Sequence, residues 1–238
     1  MIPLRSSERT SSPATVTIAL IVINLVVFFY EFVFLPDQHF RDPFTGRILL
    51  SKLDTFVMNY GLVPEQFYSH PYTAITSMFL HAGWLHVLPN MWFLWIFGKA
   101  IEDLLGHARF LVFYLVCGVA AGLLHVFTSL HFGGAMVPTV GASGAIAGVM
   151  GAYLVKFPRA RVITLIFVFI FITTIDIPAA FLLIYWFLIQ FYSGFGSLRD
   201  AADSQGGVAW FAHIGGFIAG MVLVALLPAR RRFQRWNP

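Results

Sequence analysis

Charge is what this 238-residue sequence has least of: 11% of its residues are Asp, Glu, Lys or Arg, 58% are hydrophobic, and the mean hydropathy is +0.79. Soluble domains carry about a quarter charged residues, so water is excluded as the solvent for most of this surface. A lone cysteine, Cys117, excludes an internal disulfide, and inside an apolar run it reads as a small buried residue. There is no His-Glu-x-x-His arrangement. The remaining histidine set of His81, His86 and His213 lacks a neighbouring carboxylate, so neither a metal nor a cofactor is expected. The net charge of +4 is carried by short clusters flanking apolar runs, where basic residues orient a membrane protein; nucleic acid is not an expected partner.

What is abundant is membrane-grade hydrophobicity, enough for about six or seven spans of roughly 20 residues each. The expected fold class is an all-α polytopic membrane protein with six spans and a long first outer loop. The spans are Ala14 to Leu35, His86 to Ile101, Phe110 to Leu130, Gly141 to Phe157, Ile177 to Ser193 and Val208 to Leu227. No small-residue cleavage site follows the first, so it reads as an anchor and not a signal peptide. Val162 to Ile175 is apolar but only 14 residues long, which suits an interfacial or re-entrant piece better than a seventh span. Charge arbitrates. Six spans put Arg5, Arg9, Lys99, Arg109, Lys156, Arg159, Arg161, Arg230, Arg231, Arg232 and Arg235 on the cytoplasmic side, leaving Arg41, Arg47, Lys52 and Arg199 outside. The expected organisation is a short cytoplasmic segment 1–13, a six-helix domain 14–228 and a basic cytoplasmic tail 229–238, in the plasma (inner) membrane.

Polar residues inside such spans are functional candidates, because hydrocarbon is a costly place for them. Ser143 opens the fourth span within Gly141-Ala142-Ser143-Gly144, and His213 lies near the start of the sixth. Both spans descend from the same side, so the two groups share a depth. His86 and Asn90, four residues apart on one face of the second span, lie at that depth too. A serine at a helix start has free backbone N–H groups beside it, able to hold an oxyanion. Ser143 with His213 therefore suggests a nucleophile and its base, with His86 and Asn90 as further oxyanion donors. Packing is the alternative. Gly144, Gly148 and Ala152 recur every four residues, and His213 shares a face with Gly216 and Gly220; small residues let membrane helices approach closely. His213 could be a satisfied core histidine, and His86 and Asn90 interhelical glue. No carboxylate offers itself as a third triad member: Asp200 and Asp203 fall in an outer loop, Glu102 and Asp103 at the cytoplasmic end.

The motifs Tyr60-Gly61-Leu62-Val63-Pro64, Phe79-Leu80-His81-Ala82-Gly83-Trp84-Leu85-His86, Asn90, Glu102, Gly106, Gly141-Ala142-Ser143-Gly144 and Ala212-His213 with Gly216 and Gly220 together resemble the bacterial-type rhomboid family of intramembrane serine proteases. The resemblance covers roughly Pro64 to Gly220. It implies Ser143 as nucleophile, His213 as base, and His86 and Asn90 as oxyanion donors. It also implies a water-filled cavity opening outward, capped by the loop between the fifth and sixth spans. Gly141, Gly144, Gly216 and Gly220 become packing supports. Substrates would be single-span membrane proteins whose helix unwinds near the outer membrane face, at small or helix-breaking residues. Some members stack a tyrosine on the histidine from four residues after the nucleophile; Ala147 stands there, which leaves the role to another aromatic such as Trp210. Glu102 matches a family position expected to make a structural hydrogen bond or to pair with a basic neighbour. A non-proteolytic rhomboid-like protein that binds or extracts membrane helices is the alternative function.

Overall fold

The structure, a computed structural model, describes residues 2–35, 40–41, 48–168, 171–199 and 209–230. Strand β1 (Ile2–Ser6) precedes the first long helix, α1 (Thr15–Phe34). Two short antiparallel strands, β2 (Phe40–Arg41) and β3 (Ile48–Leu49), and the helices α2 (Lys52–Tyr60) and α3 (Thr73–Thr76) belong to the long first loop. Helix α4 (Trp84–Phe93) passes through a π turn at Leu94–Gly98 into α5 (Lys99–Leu105), forming one rod. There follow α6 (His107–Phe132), α7 (Ser143–Lys156), a hairpin of β4 (Arg161–Val168) and β5 (Phe171–Pro178), α8 (Ala179–Arg199) and α9 (Trp210–Leu226).

The six expected spans all appear as helices, and α1, α6 and the Ala179–Gly196 part of α8 are long and apolar enough to cross a membrane by themselves. Their outward faces are apolar as well: Val26, Phe29 and Phe32 of α1 are all more than half exposed. Such a surface is stable only against lipid. The core between the helices holds Tyr114, Tyr153, Phe97, Phe110, Phe113 and Phe217, all fully buried.

Glycine sets the closest packing. A Cβ on Gly216 would strike the carbonyl of Gly144, one on Gly220 the carbonyl of Gly148, and one on Gly151 the carbonyl of Phe217. Helices α7 and α9 therefore touch backbone to backbone, as small-residue spacing predicts. With 14 residues, α7 is only about 21 Å long, less than the roughly 30 Å of a hydrocarbon core. It cannot reach both surfaces of the hydrocarbon core by itself.

Val162 to Ile175, expected as an interfacial or re-entrant piece and not a seventh span, falls in two paired strands. β4 and β5 pair antiparallel, and β1 adds to β4, giving a three-stranded sheet in the order β1-β4-β5. The sheet adjoins the helical bundle at α4, where Trp92 Nε1 donates to the carbonyl of Pro3 at 2.6 Å. Fixing the base of the bundle remote from Ser143, Glu102 accepts from the Val16 and Thr17 N–H groups at 2.8 Å and from Thr17 Oγ1 at 2.6 Å. Its other contact is His107 Nδ1 at 2.6 Å, so the expected structural role appears with both kinds of partner. Asp103 next to it holds the backbone and hydroxyl groups of Ser11 and Ser12.

Candidate active site

The site is assembled from helix ends. Ser143 is the first residue of α7, His213 the fourth of α9, and His86 the third of α4, with Asn90 one turn on. Helices α4, α7 and α9 all begin on this side, and their N-terminal ends meet around a cavity of about 690 Å³, whose lining includes Ser143, His213, His86, Asn90, Trp186 and Met150. Ser143 Oγ lies 2.8 Å from His213 Nε2. This is the hydrogen-bond reach a nucleophile and its base require.

The loop entering α7 is held from three directions. Thr139 exchanges backbone hydrogen bonds with Leu62 at 2.8 and 2.9 Å, and its hydroxyl meets His125 Nε2 at 2.6 Å. The Gly141 N–H donates to the carbonyl of Ser77 at 2.8 Å. Gly141 adopts φ +119°, and a Cβ there would sit 2.6 Å from His86 Nε2. Glycine is thus required both by the backbone turn and by the close approach of the His86 ring. Among the described residues no side chain caps the start of α7, and the first N–H engaged in the helix is that of Ile146, bonded to the Ala142 carbonyl. The N–H groups of Ser143 and its neighbours are the free first-turn donors of the helix.

The two expected polar neighbours differ in their bonding. His86 Nδ1 accepts a long 3.5 Å contact from the Ala82 N–H, which leaves its proton on Nε2, toward Gly141 and the cavity. Asn90 is buried, and its Nδ2 donor has no partner among the described residues. A buried donor left unpaired beside a serine–histidine contact is what an oxyanion site requires before substrate arrives. His81, in the loop before α4, has its ring 5.1 Å from that of His86. Burial first, and the nearby His86 second, push its pKa down to about 4 against a weaker upward pull from the Phe79 backbone, so the ring is neutral near pH 7. Among the described residues, no three His, Cys, Asp or Glu side chains are grouped to hold a metal.

Two contacts to His213 were not legible in the sequence. Gln190 of α8, buried and one turn beyond Trp186, places Oε1 2.6 Å from His213 Nδ1. The Trp186 ring lies 5.7 Å from the imidazole, while Trp210, the expected aromatic, stands edge-on at 6.4 Å. Two tryptophans from different helices therefore flank the His213 ring, neither of them stacked on it. Asp200, Asp203, the expected capping loop and most of the basic tail lie outside the described residues.

A family model described as the Rhomboid domain matches residues 68–230. The chain is 29% identical over 156 residues to Rhomboid protein 1, mitochondrial, of Saccharomyces cerevisiae, which is 65% of this chain and 40% of that protein. It is 31% identical over 153 residues to Rhomboid protease GluP of Bacillus subtilis, 64% of this chain and 25% of that one. With RHOMBOID-like protein 7 of Arabidopsis thaliana it shares 31% identity over 160 residues, 67% of this chain and 44% of the relative. The chain thus spans less than half the length of each of these relatives.

Proposed function

The chain belongs to the rhomboid family of multi-pass membrane proteins, and from that premise we propose that it is an intramembrane serine endopeptidase that cleaves single-span membrane proteins. The observation that carries this reading is the 2.8 Å contact between Ser143 Oγ and His213 Nε2 in the wall of a cavity. His213 takes the Ser143 proton as Oγ attacks the scissile carbonyl, and later gives it to the leaving amine. The oxyanion is held by the Ser143 backbone N–H, His86 Nε2–H and Asn90 Nδ2–H. Water then hydrolyses the acyl-enzyme, with His213 again as base.

A helical peptide bond is shielded by its own hydrogen bonds, so the substrate must unwind before it reaches Ser143. Single-span proteins with glycine, proline or other weak helix formers near the site-side membrane surface fit this requirement. The basic-residue bias puts both termini in the cytoplasm and the cavity at the outer face of the plasma membrane. Residues 14–228 form the protease domain in this reading.

The test is cleavage of a tagged single-span substrate by purified protein in liposomes. Turnover by the unsubstituted protein that is lost in Ser143→Ala is the expected result. Binding of the substrate without cleavage would move the protein to the helix-binding alternative. Activity should persist in EDTA and in phenanthroline; loss restored by zinc would overturn the metal-free mechanism.

A further inference from the structure

We infer that Gln190 is a positioning residue for the base, so that the reacting unit is Ser143, His213 and Gln190 and not a pair; this rests on the serine-protease reading above. The imidazole has two nitrogens and one of them, Nε2, faces Ser143 Oγ at 2.8 Å. To accept the serine proton, Nε2 must carry the lone pair, so the ring proton must sit on Nδ1. Gln190 Oε1, at 2.6 Å from Nδ1, is an acceptor only, and it selects that tautomer.

The orientation of the amide follows from the reaction. After proton transfer both ring nitrogens are donors, and only an acceptor at Nδ1 remains bonded throughout the cycle. An amide turned to offer its NH₂ would lose the bond at the moment the imidazolium forms. Gln190 supplies this acceptor without a permanent charge, which suits a site where His213 and Gln190 are both buried. Trp186, one turn earlier on α8, lies against the same ring and limits its tilt. One face of α8 therefore sets both the tautomer and the plane of the base.

The experiment compares three variants in liposomes: Gln190→Met, similar in shape without an acceptor; Gln190→Glu, which keeps an acceptor; and Ser143→Ala. Gln190→Met is expected to lower kcat about 10- to 100-fold with KM changed less than about twofold, the loss expected of a base with an unfixed tautomer. Fluorophosphonate labelling of Ser143 should slow by a similar factor. Gln190→Glu should restore kcat to within about threefold of the unsubstituted protein. Full activity in Gln190→Met would overturn the inference. So would equal losses in the Met and Glu variants, or a kcat loss that only tracks a lower melting temperature. If the unsubstituted protein neither cleaves nor labels, the protease reading itself fails; if it does both and Gln190→Met is unimpaired, only the role of Gln190 fails.

Discussion

At the end of the bundle remote from Ser143, Glu102 has no exposed surface and its two oxygens meet Val16, Thr17 and His107. At the Ser143 end, Asn90 Nδ2 in the cavity lining and both ring nitrogens of His81 in the loop before α4 are buried and have no hydrogen-bond partner among the described residues. Both clusters occupy helix ends in one bundle, and an unmade hydrogen bond carries the same cost in either. The Glu102 cluster closes its bonds within the fold and ties α1 to α5. The Ser143 cluster keeps donors open around a cavity, which is stable design only if something else completes them. In the proposed function, the contrast separates polar residues that hold the fold from those that await charge.

The sharpest way to break this contrast is at the nucleophile. Ser143→Ala should reduce turnover to background, a loss of at least about 1,000-fold, while the melting temperature in detergent stays within about a degree, because one hydroxyl leaves a cavity wall. Residual turnover near the unsubstituted rate would remove Ser143 from the chemistry. Asn90→Ala tests the open donor. It should lower kcat by roughly 10- to 1,000-fold with substrate binding little changed, since the donor meets charge that exists only in the transition state. An interhelical brace would behave otherwise, with a lower melting temperature and normal kcat when assayed cold.

The residues of the candidate site were readable because serine and histidine stand out in apolar runs, and because helix direction alone puts Ser143, His213, His86 and Asn90 at one depth. Gln190 was not. It sits in a helix that is apolar around its circumference, 23 residues from its partner, and it is an amide and not the carboxylate a triad suggests. The β4–β5 hairpin was missed for a different reason. Val162 to Ile175 is too short for a spanning helix, but its Val, Ile and Thr content is the signal for paired strands of eight residues. β1 gives no local signal, since its pairing with β4 joins residues about 160 apart in the chain. The seam of α7 and α9 was legible from spacing, but not that its contacts would be glycine backbone on glycine backbone.

Glu102→Ala should give the converse of Asn90→Ala. Removing a carboxylate that is fully buried leaves the Val16 and Thr17 N–H groups and the Thr17 hydroxyl without their acceptor. The expected cost is roughly 2–5 kcal/mol of stability, from buried donors of a charged partner. Turnover per folded molecule, measured well below the melting transition, should stay within about threefold of the unsubstituted protein. A large fall in kcat at unchanged stability would erase the distinction between the two clusters.

The smallest effect expected is in acid, and it comes from His81. An unfolded histidine titrates near 6.5, whereas burial and the neighbouring His86 put His81 at about 4 in the folded protein. Between these values the unfolded chain binds a proton that the folded chain refuses. This penalty is absent above pH 6.5 and grows as the pH falls from 6.5 to about 4, where it levels off. His86 faces the ring, and Oε2 of Glu31 on α1 accepts the His81 backbone N–H at 3.2 Å. His81→Gln keeps the backbone bond to Glu31 and removes the titrating ring. The melting temperature of the unsubstituted protein should therefore fall more steeply over this window than that of the variant, by an amount equivalent to about 1–3 kcal/mol at the acid end. Parallel curves would mean that His81 takes up its proton in the folded state and pairs with Glu31, which would make it a closed contact of the Glu102 kind and not a neutral member of the open cluster.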